Sequence, residues 1–372
     1  MKTFAHHTTA RVGGSAGEWV TAYSDQLALA VLREHHLPSD ADRAAGRDTL
    51  LVLGGGSNLL VSDEGFGGTV LQLAFSGISA VPDRSAEDDA VIVTVAAGHS
   101  WEALVAWTVD RGLYGLEALS GIPGTVGASP VQNVGAYGTD VSQTILDVTV
   151  WDRVEDERII LTNEDLQFGY RDSLLKRETI FESPRYVVVE VRFRLHHAPG
   201  RALSAPVRYA ELARQLGMDP NLPPEERRTG LREVREKVLE LRSSKGMVLD
   251  PQDHDTWSTG SFFTNPILRA SDAVGVPEEA PRFPAGHDEA DEPMVKLSAA
   301  WLIEHAGAGR GFGAELTDGR ASLSTKHTLA VTNRGSATAA DMLTVARAAR
   351  DRVLDAFGID LHPEPVLVGC AL

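Results

Sequence analysis

Between Ser120 and Gly138 the chain carries five glycines, Gly121, Gly124, Gly127, Gly135 and Gly138, and no other stretch constrains the fold as much. Glycine is costly inside regular structure because it loses the most backbone freedom on folding. Concentrated glycine, mixed with small and hydroxyl residues, marks backbone that closely follows something else, such as a long flat cofactor. Ile122, Val126, Val131 and Val134 are apolar, which fits a buried segment better than a flexible surface loop.

A second cluster, Gly54-Gly55-Gly56-Ser57-Asn58, follows a short apolar run, Thr49–Leu53. Successive backbone N–H groups in such a turn can converge on a phosphate. From the residues alone, a tight turn fits equally well. The spacing is not G-x-G-x-x-G, since Leu59 occupies the third glycine position, and no P-loop lysine follows. Gly309–Ala314 matches G-x-G-x-x-A by letter, but it follows a helical pattern where a strand is required, and it reads as a loop.

The rest of the chain mixes strand and helix signals without strict alternation, which predicts an α+β fold. Ser24 caps a helix to about His35 with Leu27, Val31 and Leu32 on one face. Ser100 caps another, with Trp101, Leu104, Val105 and Val109 apolar and Gly112 as its stop. Strands are expected at 69–73, 91–95, 145–151, 158–161 and 186–195. In the last, Val187, Val189, Val191 and Phe193 alternate with charged residues. Residues 197–230 read as a connector, followed by a charged helix with Leu231, Val234, Val238 and Leu241 on one face. A helix over 297–305, a strand pair around 321–332 and a helix over 339–357 stopped by Gly358 complete the pattern. Acidic stretches near 84–90 and 286–292 read as solubilising, and the insert 278–292 as loose.

A length of 372 residues calls for more than one domain. The net charge of -17 argues against a nucleic-acid binder but leaves room for a phosphorylated ligand held by a few backbone groups and one cation. One cysteine, Cys370, allows neither an internal disulfide nor a cysteine zinc site, and no metal is expected. The N-terminal residues lack the apolar core of a signal peptide, and no apolar run reaches membrane-spanning length. The expectation is a cytoplasmic protein without membrane insertion.

Taken together, Thr9-x-Arg11-Val-Gly-Gly14, Gly54–Asn58, Ser120–Gly138, Tyr170-Arg171-Asp172-Ser173, Gly260-Ser261-Phe262-Phe263-x-Asn265-Pro266 and His362-Pro-Glu364-Pro resemble the UDP-N-acetylenolpyruvoylglucosamine reductase family, in the family's order over nearly the whole chain. The resemblance implies a two-subdomain FAD-binding fold of the vanillyl-alcohol oxidase type plus a C-terminal α+β substrate-binding domain. It divides the chain into 1–73, 74–235, 236–357 and a tail, 358–372, that returns to the active site. It further implies non-covalent FAD, NADPH as hydride donor sharing the cleft of a UDP-sugar substrate, and a monomer. Flavin contacts would come from Gly54, Gly55, Gly56, Ser57 and Asn58, and from Gly121, Ile122, Pro123, Gly124, Thr125, Gly127, Ala128, Asn133, Gly135, Ala136, Tyr137 and Gly138.

Reducing an enolpyruvyl ether requires hydride on the terminal carbon and a proton on the carbon bearing the ether oxygen. The resemblance assigns the substrate carboxylate to Arg171, whose guanidinium offers two parallel donors. It assigns proton donation to Ser261. It has Glu364 polarise the carboxylate with a proton retained through burial. Tyr170, Tyr209, Lys245, Asn265 and His327 resemble substrate ligands, Tyr209 as the mark of the longer form of the family. Two rivals stand beside this: an oxidase of the same fold with flavin tethered at His99, and a binding protein that has lost turnover. Each leaves part of the set Arg171, Ser261 and Glu364 without a task.

Overall fold

The strand Tyr186–His197 is the spine of one half of the chain. In this computed structural model, which describes residues 2–45, 49–85, 89–198 and 203–372, packing divides the chain into two units. A sheet unit comprises Ala16–Gly56 and Gly67–Ser244. A terminal unit comprises Met1–Ser15, Ser57–Phe66 and Lys245–Leu372.

In the sheet unit, Tyr186–His197 pairs antiparallel with Ile145–Asp152 on one side and Ala90–Ala96 on the other. Glu157–Thr162 and Ile78–Pro82 form the edges. The expected alternation holds from Glu190 onward, with Val191 and Phe193 buried and Arg192 and Arg194 turned outward to pair with Asp147 and Asp83. Before it Val187, Val188 and Val189 are all buried, because the register shifts opposite Thr149 and Val150. A smaller sheet orders Ala16–Ala22, Phe66–Leu73 and Leu50–Leu53, the last two parallel. The helix Trp101–Asp110 is capped by Ser100 and ends before Gly112, whose φ of 68° suits glycine. The helix Leu231–Ser244 buries Leu231, Val234, Val238 and Leu241, the four residues expected. Each is a side chain whose full burial stabilises by about 1.5–3 kcal/mol.

In the terminal unit, Ala339–Phe357 is the main helix, burying Met342, Val345, Ala346, Ala349 and Val353. Its first turn is satisfied twice. Thr338 and Asp341 form a reciprocal cap, and both oxygens of Asp63 accept from the Ala339 and Ala340 N–H groups, at 2.8 and 3.1 Å. Gly358, at φ 68°, ends it. Leu59–Val61 pairs in parallel with Val366–Val368, and Ala321–Leu323 pairs with Val331–Asn333.

Four local expectations are corrected. Leu27 is exposed, and Ala28 takes the buried position beside Val31 and Leu32. The expected helix from 297 begins at Ala299, because Leu297 ends a strand and Ser298 is the cap. The insert 278–292 contains a strand, Arg282–His287, paired with Pro293–Leu297. Its acids face outward while Asp288 closes the turn by accepting from the Ala290 and Glu292 N–H groups. The connector carries a helix, Ala210–Gln215, whose Leu212 and Ala213 pack with Val234 and Val238. Residues 86–88 of the acidic stretch at 84–90, and 199–202 of the connector, lie outside the described residues.

Arg320 donates to both carboxylate oxygens of Asp341, at 2.9 and 2.8 Å, and holds its pKa down to about 2. A depressed carboxylate stabilises above its unfolded pKa and loses that contribution as pH falls. Urea unfolding of wild type and Asp341→Asn should show wild type ahead at pH 7. That lead should shrink between about pH 4 and pH 2.

Candidate active site

The sheet unit packs its two glycine loops backbone against backbone. A Cβ on Gly54 would lie 2.5 Å from Thr125 Oγ1, and one on Gly55 would lie 2.6 Å from Gly124 Cα. At Gly55 the distance excludes a side chain unless the loops part, and at Gly54 the Thr125 side chain would have to give way. Gly127 is as tight, with a Cβ 2.5 Å from that of Ala97. The second loop is fastened along its length. Trp101 N–H donates to Gly124 O, Val126 N–H to His99 O and Gly127 N–H to Ala97 O. Gly121 N–H donates to Glu102 at 2.6 Å; Glu102 pairs with Arg235, which also donates to Ser120 Oγ.

Gly135-Ala136 pairs with Thr139-Asp140 through a turn in which Tyr137 and Gly138 have φ of 52° and 78°. Two positive φ values at the centre are what a tight hairpin of right-handed twist needs. The turn presents the Tyr137 ring edge-on to Tyr209, with centroids 5.7 Å apart. Burial raises the Tyr137 phenol to about 12, so it stays a hydrogen-bond donor at neutral pH. Desolvation lowers the pKa of the buried Arg242 guanidinium, which lies within electrostatic reach of Tyr137, Glu102 and Arg171.

Tyr170 and Arg171 occupy a loop sewn to this hairpin. Asn133 Nδ2 donates to Gly169 O at 2.9 Å, Arg171 Nη2 to Gly135 O at 3.0 Å and Arg171 Nη1 to Asn133 O at 3.5 Å. Arg171 has φ 54°, and Lys176 Nζ donates to its carbonyl. Tyr170 is 40% exposed, which is not core packing.

The terminal unit gathers a second set. Ser261 follows Gly260, at φ 78°, and precedes the buried pair Phe262 and Phe263. Phe262 O accepts from the Glu364 N–H at 2.8 Å, and Phe263 bridges Pro363. Asn58 Nδ2 donates to Glu364 O at 3.3 Å, and Val366 N–H donates to Asn58 O. Asn58, the Ser261 segment and Glu364 are thereby brought together, and Glu364 is half-buried rather than a solvated terminal acid. Asn265 Oδ1 accepts from Ala299 N–H at the start of a helix. His327 is half-buried in the turn between two strands, not on a strand, and its N–H donates to Ser324 Oγ. Lys245 opens the last segment of this unit. The sequence reading missed Arg235 and Arg242, whose seven-residue spacing puts both on one side of the helix Leu231–Ser244.

Glycine loops whose backbones touch, a buried arginine and a protonated phenol suit a flat cofactor that carries a diphosphate. The FAD binding domain family matches residues 41–160, and the fold is of the vanillyl-alcohol oxidase type. The class is therefore that of flavin-dependent oxidoreductases. The family described as UDP-N-acetylenolpyruvoylglucosamine reductase, C-terminal domain, matches residues 250–368. The chain is 50% identical to the UDP-N-acetylenolpyruvoylglucosamine reductase of Saccharopolyspora erythraea, covering 99% of this chain and 95% of the relative. It is 48% identical to that of Streptomyces coelicolor, covering 98% and 88%. It belongs to the UDP-N-acetylenolpyruvoylglucosamine reductase family. The crystal structure of the Thermus caldophilus enzyme shares the fold, with a TM-score of 0.61 at 24% identity over 99% of this chain and 97% of that one.

Gly55→Ala must push the two loops apart. We expect a destabilisation of about 1–3 kcal/mol in denaturant unfolding, together with lower flavin content in the purified protein, read from its visible absorbance.

Proposed function

We propose that Arg171, Ser261 and Glu364 divide the work of one reduction, that of UDP-N-acetylglucosamine enolpyruvate to UDP-N-acetylmuramate in peptidoglycan precursor synthesis. Membership of the family supplies the reaction and its cofactor. FAD, when bound, would supply the redox chemistry that links NADPH oxidation to reduction of the enolpyruvyl group. The observation that carries the division of roles is the fastening of Glu364 to the Ser261 segment through Phe262 O.

Arg171 holds the substrate carboxylate. Its guanidinium is positioned by two carbonyls of the glycine segment, so little freedom is lost when a bidentate partner arrives. As hydride adds, negative charge builds toward the carboxylate, and a fixed cation stabilises it more than mobile water would. Glu364, protonated, donates a hydrogen bond to the same carboxylate. Pro363 and Pro365 restrict the backbone on either side of it. Ser261 then gives its hydroxyl proton to the carbon bearing the ether oxygen. A serine hydroxyl is a weak acid, so placement and the growing basicity of that carbon must compensate. The half-buried setting and the left-handed Gly260 before it support a fixed placement.

Gly54–Asn58 and Gly121–Gly138 would hold the flavin. Tyr170, Lys245, Asn265 and His327 would line the UDP-sugar site. Tyr209, 42% exposed and edge-on to Tyr137, would close over the sugar diphosphate as in the longer form of the family. The reading includes the division at 73, 235 and 357, a cytoplasmic location and a monomeric enzyme. Among the described residues no helix is long and apolar enough to cross a membrane.

Stopped-flow absorbance separates the half-reactions. Ser261→Ala should bleach with NADPH at the wild-type rate and reoxidise with the enolpyruvyl sugar roughly 10²–10⁴-fold more slowly. Reoxidation at full speed removes the proton-donor role. Glu364→Gln should slow reoxidation more than bleaching; equal slowing of both removes its role.

A further inference from the structure

The motif Thr9-x-Arg11-Val-Gly-Gly14 has no share in these roles. Arg11 has φ 55°, a conformation that non-glycine residues adopt at a cost. The surrounding chain holds it there. Its N–H donates to Thr8 O, and its carbonyl accepts from Asn333 Nδ2 at 3.2 Å. Two residues earlier, Thr9 Oγ1 donates to Ser258 O at 2.6 Å and reaches Ser57 O at 3.4 Å. The motif is thus tied to the segment that leads into Ser261 and to the one that contains Asn58.

The Arg11 guanidinium lies over the Trp257 ring, 4.0 Å from its centroid, and the His254 ring meets Trp257 edge-on with centroids 4.4 Å apart. Stacking occupies the flat face of a guanidinium and leaves its in-plane N–H donors available. Among the described residues the Arg11 side chain makes no hydrogen bond and no ion pair. The chain has 52 acidic and 35 basic residues, so a half-buried guanidinium without a carboxylate partner stands out, and its donors are available to an external anion. A merely solvated arginine would need neither the held backbone nor the aromatic floor.

We infer that Arg11 is an anion-binding residue that takes a phosphate group of a nucleotide ligand. The inference rests on the reading above, in which FAD, NADPH and a UDP-sugar bind this chain. All three present the same oxyanion chemistry, and binding measurements tell them apart.

The test compares wild type, Arg11→Gln and Arg11→Lys as purified full-length protein. NADP⁺ and UDP-N-acetylglucosamine are titrated into holoprotein and followed by the perturbed flavin absorbance. FAD and riboflavin, which lacks phosphate, are titrated into flavin-stripped protein and followed by fluorescence quenching. Arg11→Gln should weaken one phosphate ligand by roughly tenfold or more, leave the others within about twofold and flatten the salt dependence of the affected one. Arg11→Lys, which keeps the charge, should recover part of the loss. If FAD is the source, FAD affinity falls and riboflavin affinity does not. Unchanged binding of all three ligands to Arg11→Gln overturns the inference. So does uniform weakening accompanied by a fall in thermal midpoint, which would make Arg11 a packing residue. Failure of wild type to bind flavin or the UDP-sugar would instead overturn the functional reading beneath it.

Discussion

The contact between the backbones of Gly54–Gly55 and Gly124–Thr125 is the constraint on which the sheet unit turns. Gly54 and Gly55 have no room for a side chain, because a Cβ on either would fall within about 2.6 Å of the other loop. Once the two are together, the order outward is set. Gly127 rests on Ala97, Asn133 reaches Gly169, and Arg171 is oriented on Gly135 and Asn133. The cation that the proposed mechanism places on the substrate carboxylate is therefore positioned by the same segment that is proposed to hold the flavin. Its geometry depends on the backbone carbonyls of that segment, with the Asn133 and Lys176 side chains holding the loop that carries it.

The terminal unit obeys a different constraint. Its core is helical, built on Ala339–Phe357, but its chemistry is arranged by strands and carbonyls: Phe262 O on Glu364 N–H, Asn58 on Glu364 O and the pairing of Leu59–Val61 with Val366–Val368. Asp63 joins the arrangement to the helix by accepting from its first N–H groups. A carboxylate at a helix N-terminus both satisfies orphan donors and meets the positive end of the dipole.

Period and caps made much of this legible. Ser24, Ser100 and Gly358 mark helix ends where the structure has them, and the alternating valines of Tyr186–His197 mark a strand with one outward charged face. Where reading failed, tertiary packing had overridden composition. A proline-rich, charged connector still had Leu212 to bury, and an acidic insert still had backbone to pair. Glycine-rich loops were legible as a class, since a buried cluster of glycines is needed chiefly where backbones approach closely. The partners of Glu364 were not, because Phe262 and Asn58 both lie far from it in sequence and no local pattern encodes them. Arg242 was hidden for the same reason: the desolvation of its guanidinium comes from the fold and not from its own stretch of sequence.

The parallel pairing of Leu59–Val61 with Val366–Val368 also has a consequence in time. During synthesis, everything needed to fold the glycine loops is available by Ser244, and the edge of Leu59–Val61 must then wait for residues 366–368. Contacts this distant in sequence form late, because loop closure must be met before they reward it. A nascent chain can thus shape its flavin-binding half long before Glu364 reaches the side of Asn58. On the proposed roles, such a chain could assemble most of its flavin contacts, all but those of Ser57 and Asn58, while still unable to complete protonation of its substrate.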